Sequence, residues 1–210
     1  MARPLVRILH TLARSGGTVI SRHLGCMDGV ALLSEIHPLS QEEHNVKKQL
    51  QEWHGVEVAQ GTFTEMVARG ADAVSPRALV VRWRDYVDRI PCWFNGWAPP
   101  LCNWAKSTLH GCTVCDVAIV RDPDAIWSSM SKHWGAAGAI AEGKLRRDDF
   151  DRGYASYLAM AEAMGFIRYE DFMRDKESTM RTLCWKFGLS FDPYFQKKWQ
   201  AYAKVTGEIR

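Results

Sequence analysis

The sequence predicts an α/β protein with a central, mostly parallel sheet and helices on both faces. Five short apolar runs, rich in β-branched residues and of strand length, are spread along the chain. Segments with apolar residues at helical spacing separate them. Strands that alternate with helices favour parallel pairing, with the helices covering the sheet. At 210 residues and 47% hydrophobic, the chain is expected to form one domain over residues 1–210 with a sizeable core.

The first predicted unit is a strand, a turn and a helix. Leu5, Val6, Ile8 and Leu9 form a short apolar run, and the turn ARSGGT follows at residues 13–18. The next apolar residues recur at helical spacing, which predicts that the turn opens a helix.

The other elements follow in chain order from the same two patterns. Further strands are predicted at residues 31–36, 78–83, 113–120 and 166–169. Helices are predicted at 41–54, 62–69, 123–134, 148–164, 175–187 and 192–204. Residues 135–143 are small, and we expect them to be irregular. Residues 91–104 hold three prolines and three tryptophans, which predicts a surface loop whose aromatic side chains cover the core or line a pocket.

The turn after the first strand has the composition of an anion site. Backbone N–H groups at a helix start attract anions, and glycines let the backbone approach them closely. Arg14 adds a cation, while Ser15 and Thr18 add hydroxyl donors. The alternative is a turn that only joins strand to helix. The Walker pattern G-x-x-x-x-G-K-[ST] and the dinucleotide pattern G-x-G-x-x-G are both missing.

A second junction repeats this design. Arg121 directly follows the strand at 113–120, and Asp122 and Pro123 suit a helix start. Ser129 lies about two helical turns further on. Two such junctions suit a ligand with two separated anionic groups. The alternative for Arg121 is an ion pair with Asp122 or Asp124.

Polar residues follow every predicted strand. Because parallel strands present their carboxyl ends at one edge of a sheet, we expect these side chains to converge there. They are Arg14, Glu35, Arg82, Arg121 and Tyr169.

Composition argues against several other classes. The net charge of +3 is too small to indicate nucleic-acid binding. Cys112 and Cys115 form one C-x-x-C without a partner pair, so no metal site is expected. No apolar run reaches membrane-spanning length, and no signal peptide is visible. We therefore expect a soluble cytoplasmic protein.

The motifs together resemble a known family. ARSGGT, VRDPDAIWSSM and IRYEDFMRD occur in the order typical of sulfotransferases that use 3′-phosphoadenosine-5′-phosphosulfate (PAPS) and release 3′-phosphoadenosine-5′-phosphate (PAP). The resemblance implies a P-loop-like three-layer fold and metal-free transfer of a sulfuryl group to a hydroxyl. It implies cosubstrate contacts from the following residues: Arg14, Ser15, Gly16, Gly17 and Thr18 at the phosphosulfate, Arg121 and Ser129 at the 3′-phosphate, and Tyr169 near the adenine.

The resemblance also implies a catalytic base. Glu35 is similar in position to the catalytic glutamate of tyrosylprotein sulfotransferases, and both follow the basic residue of the loop by 21 positions. Arg14 would assist catalysis, and His37 is the second candidate for the base. The alternative is that Glu35 only forms an ion pair with Arg82 or Arg14.

Two departures accompany the resemblance. Val19 replaces a tryptophan found in cytosolic members, and their C-terminal R-K-G motif is missing, with Lys204 and Gly207 as partial substitutes. The acceptor is expected to be a small hydroxyl compound, hydrophobic or aromatic, that binds near the tryptophans at about 84–112. The rival functions are a small-molecule kinase with a P-loop and a non-catalytic nucleotide-binding protein.

Overall fold

The fold is described from a computed structural model, which covers residues 3–36, 43–84, 109–132 and 134–199. Within these residues five strands form one parallel sheet in the order β2-β3-β1-β4-β5. The predicted class is therefore confirmed. The strands are β1 (Leu5–Thr11), β2 (Val30–Ile36), β3 (Ala78–Arg84), β4 (Thr113–Val120) and β5 (Phe166–Arg168).

Helices join the strands and cover both faces of the sheet. In the described ranges they are α1 (Gly17–Gly25), α2 (Glu43–His54), α3 (Phe63–Ala73), α4 (Pro123–Ser131), α5 (Trp134–Ala141), α6 (Arg147–Met164), α7 (Tyr169–Arg174) and α8 (Lys176–Phe187). A further helical stretch covers residues 195–199, inside the predicted helix at 192–204. None of these described helices is long and apolar enough to cross a membrane.

Alternation along β1 shows how the layers are built. Ile8 belongs to a cluster with the apolar residues of α2 and α3, whereas its neighbour Leu9 packs with those of α1 and α8. Side chains that alternate along a strand in this way belong to a sheet covered on both faces. The buried Tyr157 of α6 adds polar contacts, because its hydroxyl donates toward the carbonyls of His10 (3.1 Å) and Ile119 (2.8 Å).

Three local predictions differ from the structure. Residues 135–141, expected to be irregular, belong to α5, because alanine favours helix and Ala136 packs on α4. Helix α3 runs past Gly70 to Ala73. Tyr169, expected to end β5, instead begins α7.

Candidate active site

The turn between β1 and α1 is tightly wound and turns its serine inward. Ser15 is fully buried, and both its hydroxyl and its N–H donate to the Leu12 carbonyl, at 2.9 Å and 3.2 Å. Ser15 therefore closes the turn, and its hydroxyl does not point outward as the sequence suggested. Arg14 (φ +67°) and Gly16 (φ +88°) both adopt left-handed backbone conformations, which reverse the chain direction before α1.

The start of α1 has the features of an anion site. Gly16 at the helix start offers no capping side chain, and the first turn of α1 carries no acidic residue. N–H groups at a helix start are left without intrahelical partners, and the helix dipole favours negative charge there.

Both glycines of the turn are required by close contacts. A Cβ at Gly16 would lie 2.1 Å from Cδ2 of Tyr169, and one at Gly17 would lie 2.5 Å from Cγ2 of Thr11. The Tyr169 ring thus lies directly against the turn, so the start of α7 forms one wall of the site.

We call the contact group on this side of the site the arginine cluster, defined as Arg14, Arg121, Ser129 and Tyr169. Arg14 Nε donates to Ser129 Oγ (2.9 Å), and Arg121 Nη1 donates to the Arg14 carbonyl (2.9 Å). The guanidinium carbon of Arg121 lies 4.5 Å from the centre of the Tyr169 ring, a cation–π distance. Residues from both junctions and from α7 therefore meet.

In the part of the chain that the structure describes, no carboxylate balances the positive charge of the arginine cluster. Among the described residues neither Arg14 nor Arg121 forms an ion pair. Asp122 instead caps α4 and Asp124 pairs with Arg147 (2.6 Å), so the ion-pair alternative for Arg121 is not what the structure contains. Arg121 Nε is buried and has no hydrogen-bond partner in the described chain. A buried donor without a partner is costly, and an anion would satisfy it.

Arg82 connects the turn to Glu35 on the other side of the site. Its Nη1 donates to Thr18 Oγ1 (3.0 Å), its Nε and Nη2 donate to Ser34 Oγ (3.1 and 2.9 Å), and Nη2 pairs with Glu35 Oε1 (2.9 Å). Arg82 is 5% exposed, whereas the Glu35 side chain is 49% exposed. The buried cation is thus fully paired, and the carboxylate remains accessible.

The contact between Glu35 and Arg82 is compatible with both sequence interpretations. It is the ion pair of the simpler alternative, and it also favours the ionised carboxylate that a proton acceptor needs. Geometry alone therefore leaves the role of Glu35 a proposal.

Several predicted positions fall outside the described residues. They are His37, residues 85–108 of the tryptophan-rich region, Lys204 and Gly207.

The perturbed thiols lie away from the site. Burial raises the pKa of Cys112, and it raises those of Cys26 and Cys184 to about 11. Thiols with a raised pKa are poor nucleophiles and poor metal ligands at neutral pH. In the described part of the chain, His, Cys, Asp and Glu form no group able to hold a metal ion.

The sequence interpretation missed one residue beside the site. Gln49 of α2 is 7% exposed and bonds to the backbone of Ser34. Its signal in the sequence is a polar residue between Val46 and Trp53, on the helix side predicted to be apolar.

Part of the chain matches a described protein family. Residues 116–193 match the description "Sulfotransferase family", and this stretch includes Arg121, Ser129 and Tyr169. No curated protein sequence matches the chain significantly.

Solved structures share the fold at low sequence identity. The chain is similar to the sulfotransferase domain of the olefin synthase of Synechococcus PCC 7002, with 16% identity, a TM-score of 0.64, and coverage of 93% of this chain and 77% of that one. The chain is also similar to a sulfotransferase domain from the curacin biosynthetic pathway, with 14% identity and a TM-score of 0.57. That match covers 93% of this chain and 77% of the other. A mouse sulfotransferase complexed with PAP is similar with 13% identity and a TM-score of 0.51. That match covers 99% of this chain and 67% of the other. The chain thus matches the sulfotransferase family over residues 116–193 and shares its fold with solved sulfotransferase domains.

Proposed function

We propose that this protein is a sulfotransferase that moves a sulfuryl group from PAPS to the hydroxyl of a small acceptor. The observation that carries the proposal is the arginine cluster, in which cations from two strand–helix junctions are in contact and have no carboxylate partner among the described residues. A ligand with a phosphosulfate at one end and a separate 3′-phosphate would supply anions to both junctions. The mouse relative with this fold binds PAP.

Each group of residues has a role in this proposal. The N–H groups at the start of α1, Arg14 and Thr18 bind the phosphosulfate. Arg121 and Ser129 bind the 3′-phosphate, and the buried Arg121 Nε is the donor that such an anion would satisfy. Tyr169 lies against Gly16 and Arg121 and borders the adenine.

Arg82 prepares Thr18 for this role. Thr18 Oγ1 already accepts a hydrogen bond from Arg82, so its own hydroxyl hydrogen remains to be donated. A hydroxyl that accepts from a cation is a stronger donor to an anion, because the bonds polarise one another. Arg82 therefore directs and strengthens the Thr18 donor.

The transfer is an in-line displacement at sulfur. The acceptor oxygen forms a bond to sulfur while the bond from sulfur to the bridging phosphate oxygen breaks, and that oxygen keeps the electron pair as PAP departs. Glu35 takes the acceptor proton, with His37 as the alternative base. Cations beside the leaving oxygen stabilise its developing charge, and Arg14 is placed on the loop that would do this.

The acceptor is proposed to be a small hydroxyl compound with a hydrophobic or aromatic surface. Support comes from the sequence, where tryptophans are concentrated between residues 84 and 112. Aromatic side chains commonly line pockets for such ligands.

A thermal-unfolding titration with PAP tests the cosubstrate proposal. We expect PAP to stabilise the protein by about 2.7 kcal/mol at a hundredfold excess over its Kd. Arg14→Ala should weaken PAP binding about 10- to 100-fold, and Ser129→Ala should weaken it about 3- to 10-fold. The arginine effect is larger because hydrogen bonds from charged donors contribute more than neutral ones.

Two controls accompany the titration. Arg152→Ala removes a cation that pairs with Asp149 on α6 and should leave PAP affinity unchanged. Chelation of divalent metals should also leave it unchanged, whereas a P-loop kinase would lose nucleotide affinity. Failure of PAP to stabilise the unmodified protein would contradict the proposal.

A further inference from the structure

Strand β2 lies at the outer edge of the described sheet, and a side chain of α2 completes its backbone pairing. Gln49 Oε1 accepts from the N–H of Ser34 (2.6 Å), and Gln49 Nε2 donates to the carbonyl of Ser34 (2.8 Å). Both residues are buried. One side-chain amide thus supplies the donor and the acceptor that a neighbouring strand would otherwise supply.

The chain departs from regular strand geometry immediately after Ser34. Consecutive side chains on a strand point to opposite faces, yet Ser34 Oγ and Glu35 Oε1 both lie 2.9 Å from Arg82 Nη2. Two features account for this. Glu35 has a left-handed backbone (φ +57°), and the register between β2 and β3 shifts between Leu33 and Ile36.

A left-handed conformation at a glutamate persists only where its surroundings hold it. Ser34 is the adjacent anchor, since Arg82 binds its hydroxyl and Gln49 binds its N–H and carbonyl. Both hydrogen bonds of the Gln49 amide go to the Ser34 backbone, so its effect on Glu35 passes through that backbone.

We propose that Gln49 is a positioning residue for the transfer reaction. By holding the Ser34 backbone, it keeps the Glu35 carboxylate against Arg82 and open toward the acceptor. The catalytic part of this inference rests on the proposed function, and the geometric part does not.

Crystal structures of Gln49→Leu and of a matched control test the geometric part. Leucine keeps the approximate size of the side chain but removes both hydrogen bonds. His54→Leu is the control, because His54 Nε2 binds the Leu32 carbonyl of the same strand from the same helix (2.8 Å). We expect Glu35 to leave the left-handed region and separate from Arg82 in Gln49→Leu only. An unchanged Glu35 in that variant would overturn the inference.

Kinetics test the catalytic part, with 2-naphthol as the acceptor probe and PAP formation as the readout. Gln49→Leu should lower kcat about 10- to 100-fold and change PAP affinity less than about threefold, while His54→Leu should change kcat less than about threefold.

A double-mutant cycle separates positioning from a general structural effect. In the Glu35→Gln background, Gln49→Leu should lower kcat no further, because its effect passes through Glu35. An equal loss in both backgrounds would contradict the positioning role. If the unmodified protein fails to bind PAP, the proposed function fails, and the crystal structures still decide whether Gln49 holds Glu35.

Discussion

Gly16 is the residue at which the turn between β1 and α1 meets the second half of the chain. Its φ of +88° disfavours any side chain, and a Cβ there would strike the ring of Tyr169. Gly29 offers a matched comparison, because its φ is +75° and a Cβ there would meet nothing within 4 Å.

We expect Gly29→Ala to cost about 1–2 kcal/mol of unfolding free energy, which is the backbone penalty alone. Gly16→Ala should cost about 1–3 kcal/mol more, because the ring must also move, and it should weaken PAP binding at least about tenfold. Denaturant unfolding and PAP titration measure both effects. Equal losses of unfolding free energy in the two variants would show that the Tyr169 ring moves aside without an energetic penalty.

Glu35→Gln separates the two interpretations of the carboxylate. Glutamine keeps the shape and can still accept from Arg82, but it cannot take a proton. We expect kcat to fall about 10²- to 10⁴-fold, while PAP affinity stays the same or rises because the substitution removes a negative charge beside Arg82. Turnover close to that of the unmodified protein would reduce Glu35 to an ion-pair partner of Arg82.

Individual residues differed in how far the sequence predicted their placement. Arg14, Arg121 and Tyr169 were predictable as neighbours because each follows a strand, and parallel strands bring their ends together. Ser15 was assigned a hydroxyl donor's role, yet it turns inward, because a hydroxyl in a tight turn can bond to the backbone three residues earlier.

Among the helices, α1 connects the turn that follows β1 to an aromatic cluster. Its His23 ring stacks on Trp199 (4.2 Å between ring centres) and packs edge-on against Phe172 and Phe195. Burial lowers the pKa of His23 below its usual value, and the hydrogen bond to the Val19 carbonyl opposes this only in part.

The lowered pKa predicts that stability depends on pH. Unfolded His23 binds a proton more readily than folded His23. Its contribution to the free energy of unfolding is therefore complete above about pH 6.5 and is lost as pH falls through the folded-state pKa. Burial lowers the pKa of His54 too, so it acts in the same direction.

Unfolding free energies between about pH 7.5 and pH 5 check this prediction. His23→Phe should lose stability less steeply on acidification than the unmodified protein. Identical slopes for the two proteins would contradict the prediction.

At the scale of elements, apolar runs predicted strands better than small residues predicted helices. All five strands were expected because their apolar runs have strand length and lie between turn residues. Helix α5 was missed because its sequence WGAAGAIA has little amphipathic pattern, and contact with α4 decides its structure.

For the whole molecule, the architecture followed from the order of elements, whereas the links across the site did not. The bonds from Gln49 to Ser34 and from Arg82 to Thr18 join residues 15 and 64 positions apart. No local pattern encodes such pairs, because they depend on how α2 and β3 pack against the sheet. Sequence therefore predicted which residues meet at this edge of the sheet better than it predicted the contacts between them.

The position of β1 has a consequence for the order of folding. β1 lies between β3 and β4, and its partners in β4 are more than a hundred positions further along the chain. A ribosome therefore releases β1 and the turn that follows it well before β4, which completes the pairing of β1. Until then one edge of β1 stays open to other chains, and non-local pairing of this kind folds slowly. The turn that is translated first gains its contact with Arg121 only after that distant residue has been made.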